Sequence, residues 1–210
     1  MPKDSADTQS AIITAAEKLM SQNGIQNVSL KEIVRVANQK NATAIQYHFQ
    51  NKFGLINAII KKHSRDIDLQ RNALLDLLQS NEDSTLRDYV SALIMPLAGK
   101  LDDENGGRDF LIIVSESINT YNPAFLKKVV ANIDDSVNRW RSLVEPFLNR
   151  TSVIRLHTRF SAIRFTYTEL ARRAATTDST QNNKLFISHL TDLVESILTT
   201  PISKETKRLL

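Results

Sequence analysis

The chain contains no cysteine, and only five glycines and five prolines among its 210 residues. Without thiols there is no disulfide, no thiolate metal site and no cysteine nucleophile, which agrees with a reducing compartment. So little glycine and proline, with no sustained apolar–polar alternation, argues for helices throughout and no sheet. No stretch approaches the roughly eighteen apolar residues that span a bilayer. The polar start MPKDSADTQS lacks a signal-peptide hydrophobic region, so a cytoplasmic protein is expected. Catalytic signatures are missing too: there is no P-loop, no dinucleotide fingerprint and no G-x-S-x-G elbow. The histidines, His48, His63, His157 and His189, fall into neither an HxxxH nor an HxxEH arrangement, so no metal is expected. Asp102-Asp103 and Asp134-Asp135 are adjacent rather than facing pairs and read as solvated surface. We expect neither an enzyme nor a bound cofactor.

What is present is enough to fold. Hydrophobic residues make up 41% of the chain, sufficient for one large core or two small ones. The net charge of +4 is unevenly placed: residues 1–65 hold nine Lys/Arg against four Asp/Glu, leaving 18 against 19 for the remainder. A basic N-terminal module is the electrostatic footprint of nucleic-acid binding, although an ordinary solvated surface gives the same count. Asn27-Val-Ser, Asn41-Ala-Thr and Asn149-Arg-Thr match the N-glycosylation pattern but read better as helix caps and turns.

Helical periodicity divides the chain. A first helix over about Thr8–Ser21 carries Ile12, Ala15, Ala16, Leu19 and Met20 on one stripe, with Gly24 as terminator. Ser29 followed by Glu32 forms a capping box that starts a second helix, continued by Ile33, Val34 and Ala37. Asn38-Gln39-Lys40-Asn41 makes a turn in which Asn38 suits a left-handed backbone and Asn41 can cap a third helix, from Ala42 to about His48. Ile45 and Phe49 share its packing face, while Ala42, Thr43, Gln46 and Tyr47 lie mostly opposite. A long connecting helix follows from Lys52. Beyond Asn81–Ser84 come a helix over Leu86–Lys100 broken or kinked at Pro96, a loop over Asp102–Gly107, and helices over Arg108–Tyr121, Pro123–Leu148, Val153–Thr176 and Asn183–Thr200. Leu156, Phe160, Ile163, Tyr167 and Leu170 repeat at alternating spacings of four and three, and Phe186, Leu190, Leu193 and Ile197 form a second seam. Such seams suit either a monomer core or half of a four-helix interface between two copies.

Taken in order, Ile12-x-x-Ala15-Ala16-x-x-Leu19, Gly24, Val28-Ser29-x-x-x-Ile33 and Ala44-Ile45-x-x-His48-Phe49-x-x-Lys52 resemble the N-terminal pattern of TetR-family transcriptional regulators over roughly residues 8–60. Two departures stand out: the turn at residues 37–41 is one residue longer than the family's usual form, and Gln46 replaces a common tyrosine. The resemblance implies an all-α fold of about nine helices: a three-helix helix-turn-helix DNA-binding domain over residues 1–51, a connecting helix over 52–80, and a ligand-binding and dimerisation domain over 81–210. It implies a ligand-responsive repressor that binds a palindromic operator on double-stranded DNA as a homodimer.

The same resemblance places the helix after the turn in the major groove. Ala42, Thr43, Ala44 and Gln46 would then face bases, and Ser29, Lys40, Tyr47, His48 and Lys52 would meet phosphates or, for Lys40, either strand. Tyr47 as a buried aromatic and His48 as a structural histidine remain alternatives. The family usually holds a small molecule among the helices at about 55–176, where Phe110, Ile113, Val114, Ser117, Tyr121, Phe125, Trp140, Phe147 and Phe165 would line a cavity for a hydrophobic or aromatic effector. It also favours the dimer reading of the two seams. Competing readings are a helical small-molecule-binding protein that has lost specific DNA binding, and a non-specific nucleic-acid or scaffold protein.

Overall fold

The computed structural model describes residues 5–39, 43–119, 136–176 and 183–210. Among the described residues there are eleven α-helices, two short 3-10 turns and no strand. The helices are α1 (Ser5–Asn23), α2 (Leu30–Val36), α3 (Thr43–Phe49), α4 (Lys52–Gln79), α5 (Leu86–Ala98), α6 (Gly107–Asn119), α7 (residues 136–144), α8 (Arg150–Ile154), α9 (Thr158–Ala175), α10 (Asn183–Thr199) and α11 (Lys204–Leu209). The last was not foreseen; Ser203 caps it by accepting from the Thr206 amide. None of these helices is long and apolar enough to cross a membrane.

The chain forms two compact units. One holds the described residues within Met1–Arg65 and Lys100–Ile133, the other those within Asp66–Gly99 and Asp134–Leu210. This division differs from the sequence boundaries near residues 51 and 80, because α6 packs on α1 and the first half of α4 carries side chains bonded to α1.

In the first unit α1 buries Ile12, Ala15, Ala16 and Met20 of the expected stripe, while Leu19 is half-buried. It ends where the Gly24 amide meets the Met20 carbonyl at 2.9 Å, with Gly24 at φ +84°, a left-handed position that suits glycine. Ser29 Oγ caps α2 by accepting from the Glu32 amide at 3.2 Å. Only this half of the expected capping box forms; a complete box occurs at Thr85 and Asp88, ahead of α5.

The second unit packs α5, α9 and α10 against one another, with α8 against α9. Trp140 of α7 is fully buried, and its indole N–H donates to the Tyr89 carbonyl at 2.7 Å. Helix α5 is not broken at Pro96: it runs on to Ala98 and passes into a 3-10 turn at Gly99–Leu101, so the missing amide removes one bond without ending the helix. The expected single helix over 153–176 is interrupted. Asn149 caps the short α8 through the Thr151 and Ser152 amides, His157 takes a left-handed φ of +53°, and the Thr158 hydroxyl donates back to the Ser152 carbonyl at 2.8 Å. Leu156 therefore sits in the break, 36% exposed, and not on a helical seam.

Of the other seam residues, Ile163, Tyr167, Leu170 and Leu190 are buried within this unit. They serve the monomer core. Phe160, Phe186, Leu193 and Ile197 keep exposed surface, and Arg164 and Arg173 stand over the rings of Phe160 and Phe186.

Two carboxylates give the fold an acid-sensitive edge. The Lys100 ammonium at 2.8 Å, chiefly, holds Asp103 below the usual carboxylate range, and Thr85, through its hydroxyl and amide, does the same for Asp88. Both groups have folded values below their unfolded ones. Their stabilisation is fully present above about pH 4, the unfolded carboxylate value, and is lost as pH falls through the folded value. Urea midpoints measured from pH 7 to pH 3 should decline at the acid end, and Asp103→Asn and Asp88→Asn should each flatten that limb. An acid limb unchanged from the wild type in both variants would contradict this assignment.

Candidate nucleic-acid interface

Helix α3 separates its two faces cleanly. Ile45 and Phe49 are buried under it, while Gln46 and Tyr47 are exposed, Tyr47 at 83%. The buried-aromatic alternative for Tyr47 is thereby excluded. His48 is half-buried, its ring edge-on to Tyr47 with centroids 4.9 Å apart. Thr43 and Ala44 are placed by their backbone, in the first turn of α3; Lys40 and Ala42 lie outside the described residues. Asn38 adopts the expected left-handed backbone, φ +52°, just after α2. Ser29 is exposed.

The end of α3 is fixed by a tight junction. Gln50 takes φ +65°, the Asn51 amide meets the Phe49 carbonyl at 2.7 Å, and Asn51 Oδ1 accepts from the Gly54 amide at 3.0 Å. Gly54 is required by space: a Cβ there would lie 1.9 Å from the Phe49 carbonyl oxygen. Lys52 opens α4 with its Nζ 3.4 Å from the Gln26 carbonyl. Burial lowers the Lys52 ammonium from its ordinary value, and the charge of Glu116 opposes that.

A polar network inside the same unit ties α1 to α4 and the loop after α1 to α6. Glu17 of α1 is buried; its Oε2 accepts from Lys62 at 2.7 Å and its Oε1 faces His63 Nε2 at 2.9 Å. Lys62 also donates to the Asn105 carbonyl at 2.8 Å, and the His63 ring stacks on Phe110 at 4.6 Å. Gly106, at φ +90°, passes so close that a Cβ would be 2.7 Å from Glu17 Oε2. Glu116 of α6 accepts from the Ile25 amide with both oxygens, at 2.9 and 3.1 Å, which holds the loop between α1 and α2.

Sequence reasoning missed Glu17, Lys62, His63, Asn51, Gly54 and Glu116. Glu17 did leave a signal: a carboxylate flanked by buried Ala16 and Met20 on one stripe needs a partner. Its partners stand 45 and 46 residues away, where no local pattern points to them.

The residues expected around an effector divide between the units. In the first, Phe110, Ile113, Val114 and Ser117 are buried on α6, and the Ser117 hydroxyl donates to the Ile113 carbonyl. In the second, Trp140 is buried, Phe165 half-buried, and Phe147 exposed and tilted against Tyr89. Tyr121 and Phe125 lie outside the described residues. An open depression of about 570 Å³ in the first unit, lined by residues including Ser10, Thr14, Lys18, Val36 and Asn38, involves none of these nine. No group of three or more His, Asp or Glu that could hold a metal occurs among the described residues.

Residues 12–59 match the family model described as bacterial regulatory proteins, tetR family. None of the curated proteins matches the sequence. Among solved structures, a TetR-family transcriptional regulator from Rhodococcus sp. is similar, with 16% identity, 92% of this chain and 100% of that chain covered, and a TM-score of 0.58. NalD, the secondary repressor of the MexAB-OprM multidrug efflux pump in Pseudomonas aeruginosa, has 21% identity over 94% of this chain and 99% of its own, with a TM-score of 0.59. The superantigen PfiT is also similar, with 14% identity over 95% of this chain and 100% of its own, at a TM-score of 0.54. At these identities the likeness establishes the fold. The N-terminal match adds the class of the module.

Proposed function

We propose that this chain, whose residues 12–59 match the tetR-family model, is a DNA-binding transcriptional regulator of that family, a ligand-responsive repressor acting as a homodimer on a palindromic operator. The carrying observation is α3, whose exposed Gln46 and Tyr47 stand over buried Ile45 and Phe49, within the family match. That is the geometry a recognition helix needs: one face anchored, the other free to enter a major groove. The repressor sense is supported by NalD, which shares the fold. PfiT shares it too, so the N-terminal residues and not the fold carry the DNA-binding assignment. The protein is read as a cytoplasmic, non-enzymatic regulator without a cofactor.

In this reading the N-terminal turn of α3, with Thr43, Ala44 and Gln46, meets base edges, together with Ala42 before it, and Lys40 reaches either strand. Gln46 offers a bidentate amide to adenine. Ser29, Tyr47, His48 and Lys52 position the module on phosphates. Phe160, Phe186, Leu193 and Ile197, which keep exposed surface, are the seam residues available to a second copy. Ligand binding would favour a dimer whose two α3 helices no longer match successive major-groove turns, about 34 Å apart.

A gel shift on DNA flanking the protein's own gene tests this directly. A sharp, competitor-resistant complex is expected; smearing that vanishes in modest salt would contradict specific binding. Gln46→Ala should alter preference among operator variants by about 1–3 kcal/mol at one base pair. Lys52→Ala should weaken all sequences alike and reduce the salt slope by about one. Equal loss on every operator for Gln46→Ala would remove it from the base contacts, and a monomer at micromolar concentration in the ultracentrifuge would rule out the dimer mechanism.

A further inference from the structure

Arg71, on the half of α4 that belongs to the second unit, has no exposed surface. Its Nη1 donates to Ser136 Oγ of α7 at 2.8 Å and its Nη2 to the Leu93 carbonyl of α5 at 3.2 Å. Both acceptors are neutral. The buried Nε meets no acceptor among the described residues. Asp68, one turn back on α4, is 3.9 Å away and 27% exposed, and it already accepts the Ser136 hydroxyl proton. Among the described residues, the field of Tyr167 of α9 also reaches the guanidinium; burial pushes Arg71 down from its ordinary value, against the opposing influence of Tyr167 and Asp68.

A guanidinium stays charged in a protein, so burial has to be answered by a counter-charge and by acceptors for its N–H groups. Among the described residues the counter-charge is distant and shared, and one edge of the fork has an orphan donor. A carboxylate fits such an edge, because its two oxygens match two parallel N–H groups. Leu75 one turn on along α4, Leu93 whose carbonyl the fork meets, and Val137 and Trp140 next to and one helical turn beyond Ser136 are all buried apolar residues.

We propose that Arg71 is the anion-recognising residue of an effector site in the second unit, and that the effector is a carboxylate on an apolar body, bound at the Nε edge of the guanidinium. This rests on the ligand-responsive reading above and narrows its hydrophobic effector to an amphipathic acid. Ser136 and the Leu93 carbonyl hold the fork in place.

The test uses the full chain, with octanoate and benzoate as probes and octanamide and benzamide as neutral counterparts, read by thermal shift and by release of the operator. Acids should bind at least about tenfold more tightly than amides, since they replace a missing charge partner. Arg71→Met, of similar length and apolar, should remain folded and lose that preference. Acids and amides acting alike on the wild-type protein, a comparison that needs no variant, would overturn the anion assignment while leaving an effector site standing. Acid preference surviving in Arg71→Met would overturn it as well. No response to any of the four probes would overturn both this proposal and the small-molecule reading on which it rests.

Discussion

Gly54→Ala is expected to abolish operator binding and to destabilise the N-terminal unit by about 3 kcal/mol, at the upper end of overpacking costs. The added Cβ would stand 1.9 Å from the Phe49 carbonyl oxygen, and that oxygen belongs to backbone. No side-chain rotamer relieves such a clash. Phe49 must therefore shift, and with it the junction made by the Asn51 amide on the Phe49 carbonyl and by Asn51 Oδ1 on the Gly54 amide. Because α3 ends at Phe49, a moved carbonyl re-aims Gln46 and Tyr47 even in molecules that remain folded. Circular dichroism, urea melts and gel shift on one preparation check this: helicity mostly retained, a lowered midpoint, and no complex at protein concentrations that saturate the wild type. An alanine variant with wild-type affinity would show that the junction does not set the direction of α3.

Glu17→Ala should destabilise the protein by about 3 kcal/mol, the lower end of what removing one partner from a buried ion pair costs. The lower end applies because Lys62, a quarter exposed, can turn to solvent and still reach the Asn105 carbonyl. His63 cannot turn, being buried and stacked on Phe110. Glu17→Gln keeps the shape and one acceptor oxygen and should lose only about 1 kcal/mol, the worth of a typical hydrogen bond. Urea midpoints at pH 7 separate the two variants. If alanine and glutamine prove equally destabilising, the loss comes from the charge that both remove and not from the shape and acceptor that glutamine keeps.

Local chemistry made much of the N-terminal unit legible. Gly24, the Ser29 cap, Asn38 in the turn and the Ile45/Phe49 face each declare themselves within four residues, and each is found in place. The C-terminal unit was read less well for a specific reason. Leu156 continues an apolar repeat into α9, yet no glycine or proline marks the interruption between α8 and α9. The break is set by Asn149, by the left-handed His157 and by the Thr158 hydroxyl on the Ser152 carbonyl, and a repeat of apolar residues is blind to all three. Periodicity also could not say which seam residues face inward; burial of Ile163, Tyr167, Leu170 and Leu190 against neighbouring helices decides that. Arg71 went unnoticed because a single arginine on a long helix looks like solvated surface until α5, α7 and α9 close around it.

Ser21 is bonded to Asp109, 88 residues later, and the Ile25 amide to Glu116, 91 residues later. A ribosome that has released residues 1–65 has therefore not yet made the partners of α1 and of the loop after it. The DNA-reading helices complete their unit only after the chain has left it within α4 and returned at Lys100. An excised fragment ending near residue 65 would lack Asp103, Asn105, Phe110 and Glu116, and with them the groups that hold His63, Lys62 and the Ile25 amide. Birth order thus leaves α1 and the loop after it without these partners until more than half of the polypeptide exists.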